Sequence, residues 1–94
     1  MKFKRNKRDL VYNVEYCDYL QNGKNYYHNV DVILEYKGVV YNILCELDDE
    51  MRVSCTYIKE QRVFDREQLN FGYTLFDLLE EEIKKVVSLM VDLL

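Results

Sequence analysis

The chain contains no alanine, no proline and no tryptophan, and it has one histidine and three glycines in 94 residues. A single imidazole removes most zinc sites and every catalytic arrangement that needs two of them. The three cysteines, Cys17, Cys45 and Cys55, cannot all pair with one another and show no CxxC or other metal-ligand spacing. They read as buried or half-buried free thiols. No stretch reaches the roughly 18 uninterrupted apolar residues that a membrane helix requires. No apolar run of signal-peptide length follows the basic start, so the expected location is the cytoplasm. There is no glycine loop of the kind that cradles phosphate, and no nucleophile stands in an evident pairing with a base. Catalysis is therefore not expected, and no cofactor is implied. The missing alanine and proline, against abundant Lys, Asn, Tyr, Ile and Glu, resemble the usage of an AT-rich genome. Such usage points to a low-GC bacterium, or to a phage or mobile element living in one.

What is present is a chain of 49% hydrophobic and 32% charged residues, within the range of a globular domain. Its length allows one domain and no second. The formal charge of -4 hides a polarity along the sequence. Five of the 13 basic residues, Lys2, Lys4, Arg5, Lys7 and Arg8, precede Asp9, so the remainder is strongly acidic. Residues 1–9 read as a basic, solvated and disordered leader, and residues 10–94 as a single α+β domain.

Residues 10–20 and 24–36 alternate with period two and read as strands. Leu10, Tyr12, Val14 and Tyr16 share one side of the first; His28, Val30, Val32, Leu34 and Tyr36 share one side of the second. A three-residue loop at Gln21-Asn22-Gly23, with Gly23 left-handed, would place Val14 opposite Val30, Tyr12 opposite Val32 and Leu10 opposite Leu34. A two-residue loop at Lys37-Gly38 leads into a third strand, 39–47, and pairs Tyr36 with Val39, Leu34 with Tyr41, Val32 with Ile43 and Val30 with Cys45. After the polar turn Asp48-Asp49-Glu50, residues 52–64 read as a fourth strand with Val53, Cys55 and Tyr57 inward; its alternation fails beyond Ile58, as a bulge or an early end near Lys59 would explain. Asp65 to Tyr73 reads as a loop. Thr74, with Asp77 three residues on, opens a helix over 74–94, and Tyr73 is placed to staple onto Leu78. Leu75, Leu79, Ile83, Val86, Val87, Met90 and Leu94 form its core stripe. The expected fold is a four-stranded antiparallel meander in the order 1-2-3-4, packed on one face by a single C-terminal helix.

Three features could carry function. The outward side of the sheet gathers Glu15, Asp31, Glu35 and Glu46 with Val11, Ile33, Val40, Leu44 and Ile58. An apolar strip with an acidic rim has the makeup of a protein-binding surface. The helix end is apolar nearly all round, leaving Leu89 and Leu93 on a side the sheet should not reach, a basis for a homodimer; the edge strands offer another route to pairing. The basic residues Lys2, Lys4, Arg5, Lys7 and Arg8 could track a phosphate backbone. Six tyrosines, Tyr12, Tyr16, Tyr26, Tyr36, Tyr41 and Tyr57, fall on the inner side as core packing, with His28 a hydrogen-bonded border residue. Small size, an acidic body and AT-rich composition resemble phage-encoded inhibitors, including anti-CRISPR-type proteins, that occupy a basic nucleic-acid-binding cleft of a host or defence enzyme. The expected role is thus non-catalytic protein binding, followed by a nucleic-acid-binding or regulatory module using the N-terminus, and then by a self-associating structural subunit.

Overall fold

The computed structural model describes residues 2–7, 10–59 and 65–93. It holds one antiparallel sheet and one helix: β1 (Lys2–Lys7), β2 (Leu10–Asn22), β3 (Asn25–Tyr36), β4 (Val39–Asp48), β5 (Val53–Ile58) and α1 (Arg66–Asp92). The strands lie in sequence order, β1-β2-β3-β4-β5. The expected meander is β2 to β5, and α1 packs against it as the second layer. The sheet also gains β1, within the segment expected to be a leader. Lys2 stands opposite Glu15 and Lys7 opposite Leu10, so the basic segment forms an edge strand. Lysine-rich strands suit an edge because a charged rim discourages pairing with another chain.

The β3–β4 hairpin has the expected register throughout, from Tyr36 opposite Val39 to Val30 opposite Cys45. Lys37 and Gly38 both have positive φ, at 49° and 82°, the combination of a type I′ turn that matches strand twist. The β2–β3 hairpin differs. Its loop has two residues, Gly23 and Lys24, with Asn22 opposite Asn25. Gly23 takes the expected positive φ, 64°, as the first central residue. Carried along unchanged, this register would oppose inward and outward residues. A bulge at Cys17, between the pairs of Tyr16 and Asp18, removes one residue and restores the phase. Val14 then faces Val32, Tyr12 faces Leu34 and Leu10 faces Tyr36, two residues from the expected pairing but with the same residues inward.

A second bulge corrects the reading of β5. Leu47 pairs with Val53, but Glu46 pairs with Cys55, so Ser54 is the extra residue. Beyond it the phase reverses. Thr56 and Ile58 follow the inner side, while Cys55 and Tyr57 point outward and are exposed. Ile58, expected outside, is fully buried. The bulge therefore sits at Ser54, while the strand ends at Ile58, the early end expected near Lys59; the expected strand tail 60–64 lies outside the described residues.

The helix starts eight residues before the expected Thr74. Asp65 is the N-cap, its carboxylate accepting from the Gln68 amide at 2.8 Å. Thr74 lies inside the helix, where its hydroxyl donates to the Asn70 carbonyl at 3.1 Å. Tyr73 does not staple Leu78, which is 74% exposed; its hydroxyl accepts from the Ile58 amide at 3.2 Å, tying α1 to the end of β5. Gly72 explains why the first turns can lie against the sheet. A methyl group there would collide with the Tyr41 ring and stand 2.9 Å from the Ile58 Cδ1 atom. The core stripe Leu75, Leu79, Ile83, Val86, Val87 and Met90 is buried as expected, joined by Phe76, while Leu94 lies outside the described residues. Facing it are Tyr12, Val14, Val30, Val32, Leu34, Tyr41, Ile43, Cys45, Leu47 and Ile58.

Candidate protein-binding face

Because β-strand side chains alternate and α1 covers one face, every second residue of β2–β5 is left on a face that no second layer covers among the described residues. Register sets those residues in rows. Val11, Glu35 and Val40 form one row; Asn13, Ile33 and Asn42 the next; Glu15, Asp31, Leu44 and Tyr57 the third; Asn29, Glu46 and Cys55 the fourth. Glu15, Asp31, Ile33, Glu35, Leu44 and Glu46, the six residues selected from sequence, thus share one face. Ile33, Val40 and Tyr57 are exposed at 38%, 49% and 45%, while Leu44 is half-buried. Tyr57 was expected in the core; the Ser54 bulge turns it onto this face.

The electrostatics of the third row are unusual. Glu15 and Asp31 are direct cross-strand neighbours, and like charges so placed repel. One compensating cation is in the sheet itself: Lys59 Nζ lies 2.8 Å from Asp31 Oδ1. That hydrogen bond holds the Lys59 ammonium above its ordinary pKa. Lys2 occupies the same row on β1, opposite Glu15. Lys4 stands in the second row, opposite Asn13, whereas Arg5 and Lys7 stand opposite the inward Tyr12 and Leu10; the side chains of β1, and all of Arg8, lie outside the described residues. Among the described side chains the face therefore runs from an acidic centre to Tyr57. In the second row the Asn42 amide oxygen is shielded from water and accepts no hydrogen bond among the described residues.

The inner face ends in an aromatic group near the β2–β3 turn. The Tyr16 hydroxyl and His28 Nδ1 share a 2.7 Å hydrogen bond, giving His28 the expected partner. Tyr19 and Tyr26 stack at 5.7 Å with an interplanar angle of 5°. Tyr19 reaches this side only because the Cys17 bulge reverses the phase, so simple alternation missed it. Tyr12 and Tyr41 are buried and Tyr16 and Tyr36 pack on the core margin, as expected, whereas Tyr26 is exposed.

All three cysteines are free. Cys45 is buried, and desolvation pushes its thiol up to about 12, so it stays protonated. Cys17 and Cys55 are exposed rather than buried or half-buried; alternation alone puts Cys17 outward, and the Ser54 bulge turns Cys55 outward. Among the described residues no group of three or more His, Cys, Asp or Glu side chains could hold a metal ion, and no helix is long and apolar enough to cross a membrane. Among the described residues the fold and face define a two-layer α+β meander with one unshielded sheet surface. Comparison with known protein families, curated proteins and solved structures finds no match to this chain.

Proposed function

We propose that this chain is a non-catalytic binding protein that docks a protein partner on the uncovered face of its sheet. The partner presents a basic, nucleic-acid-binding surface, and the chain inhibits it by occupying that surface. The observation that carries this reading is the third row and its neighbours, where apolar Ile33, Val40 and Tyr57 remain exposed beside the opposed carboxylates Glu15 and Asp31. Exposed aliphatics offer area to exclude water, and adjacent carboxylates attract a basic partner.

The test is capture of partners from a low-GC bacterial lysate by immobilised protein, before and after nuclease treatment. The expected result is a nuclease-resistant protein that is lost when Glu15→Lys, Glu35→Lys and Glu46→Lys are combined, with association slowing most at low salt. Asp31 is left intact so that its ion pair with Lys59 is preserved. Capture indifferent to the three reversals would remove this face from consideration. If Lys2→Gln, Lys4→Gln and Lys7→Gln instead abolish a nuclease-sensitive capture, the chain is a nucleic-acid-binding module.

A further inference from the structure

The exposed large hydrophobic residues of α1 are Phe71, Leu78, Leu89 and Leu93. At 100° per residue, Phe71, Leu78 and Leu89 project within about 20° of one direction and Leu93 about 40° from it, well to one side of the buried stripe. Glu82 and Lys85 lie in the same stripe between Leu78 and Leu89. The spacing of positions 78, 82, 85 and 89 is four, three, four, the seam of a heptad. Glu82 accepts from the Tyr12 hydroxyl at 3.2 Å, which fixes this flank of the helix on the β2 side. Lys84, not Lys85, takes the ion pairs with Glu80 and Glu81, and Lys85 is exposed.

We propose that the stripe is the interface of an isologous dimer in which α1 packs antiparallel to α1 of a second copy. Leu78 lies against Leu89 of the partner subunit, and Glu82 against Lys85 of the partner subunit. Both pairs obey one register, and the twofold axis generates each contact twice, as an isologous interface requires. The charge order chooses the direction. A parallel pair would oppose Glu82 to its own copy and Lys85 to its own copy, whereas the antiparallel pair matches opposite signs. Leu93 falls opposite Thr74 of the partner subunit and extends the contact at each end. The dimer uses α1 and leaves the open sheet face of each copy free, so it stands or falls independently of the function proposed for that face.

Sedimentation equilibrium of the full chain from micromolar to millimolar concentration tests the proposal. A monomer–dimer equilibrium is expected. Leu78→Glu should shift it to monomer with an unchanged circular dichroism spectrum, because Leu78 is mostly exposed in the single chain. Lys85→Glu should weaken the dimer by about tenfold or more, since each interface then carries two like-charge pairs. Adding Glu82→Lys to it should restore association. In a Cys17→Ser, Cys55→Ser background, the pair Leu78→Cys and Leu89→Cys should form a disulfide-linked dimer on mild oxidation, while Leu78→Cys alone should not. A monomer at every concentration, a dimer indifferent to Leu78→Glu, or cross-linking by Leu78→Cys alone would overturn it. The cross-link also decides the register if the charge swap disturbs the Tyr12 contact.

Discussion

Both faces of the sheet carry aliphatic residues, and these meet opposite fates. On β3, Val32 and Leu34 are fully buried, while Ile33 between them is 38% exposed. On β4, Tyr41 and Ile43 are buried and Val40 is exposed. Side-chain polarity separates most residues of the two faces but not these, since Ile33 is as apolar as Val32. The helix does. With one 27-residue helix, about 40 Å long, the chain can cover one face of a twisted sheet and no more. The informative departure is therefore aliphatic and aromatic area on the uncovered face, set beside carboxylates that repel each other.

Substitutions on the two sides of one strand should sharpen this contrast most. Leu34→Ala should cost about 2–5 kcal/mol in urea unfolding, because the methyl groups removed are enclosed by both layers. Ile33→Ala should change stability by less than about 0.5 kcal/mol. Equal losses would mean that the open face is structural. Next in size is Gly72→Ala, which forces a methyl into the Tyr41 ring and Ile58. Overpacking of about 1–3 kcal/mol should exceed the helix-propensity gain of about 1 kcal/mol and lower the thermal midpoint. Asp65→Ala should cost about 1 kcal/mol by leaving the Gln68 amide without its cap, and Asp65→Asn should recover most of it.

These positions also show what alternation and spacing could and could not reveal. The inward set on β2, β3 and β4 follows from period two because burial enforces it, and Lys37-Gly38 names its own turn. The bulges at Cys17 and Ser54 leave no comparable mark. Each inserts one residue of ordinary type, and its effect appears only where later side chains change sides, as Tyr19, Tyr57 and Ile58 do. The helix start was hidden by Asn70 and Gly72, both poor helix formers, with Gly72 selected by close approach to Tyr41 rather than by propensity. The six residues of the open face were legible because none lies beyond a bulge. The edge strand β1 was not, because its charges read as solvated while its backbone pairs with β2.

The smallest effect expected concerns the cation within that open face. Lys59 and Asp31 are paired at 2.8 Å but both side chains remain partly accessible, so water screens their attraction. A double-mutant cycle with Lys59→Met and Asp31→Asn should give a coupling of about 0.2–1 kcal/mol, reduced by salt. The hydrogen bond from Lys59 raises its pKa above the unfolded value, so its contribution is complete below the ordinary lysine range. That contribution is lost as pH rises through the elevated folded value. Replacing Lys59 also leaves Glu15 and Asp31 opposed with one fewer compensating charge, which should strengthen the attraction of this face for a basic partner even as it slightly weakens the fold. A coupling above about 2 kcal/mol would show instead that the pair is desolvated and holds the sheet together. The contrast between a structural face and a binding face would then fail at its centre.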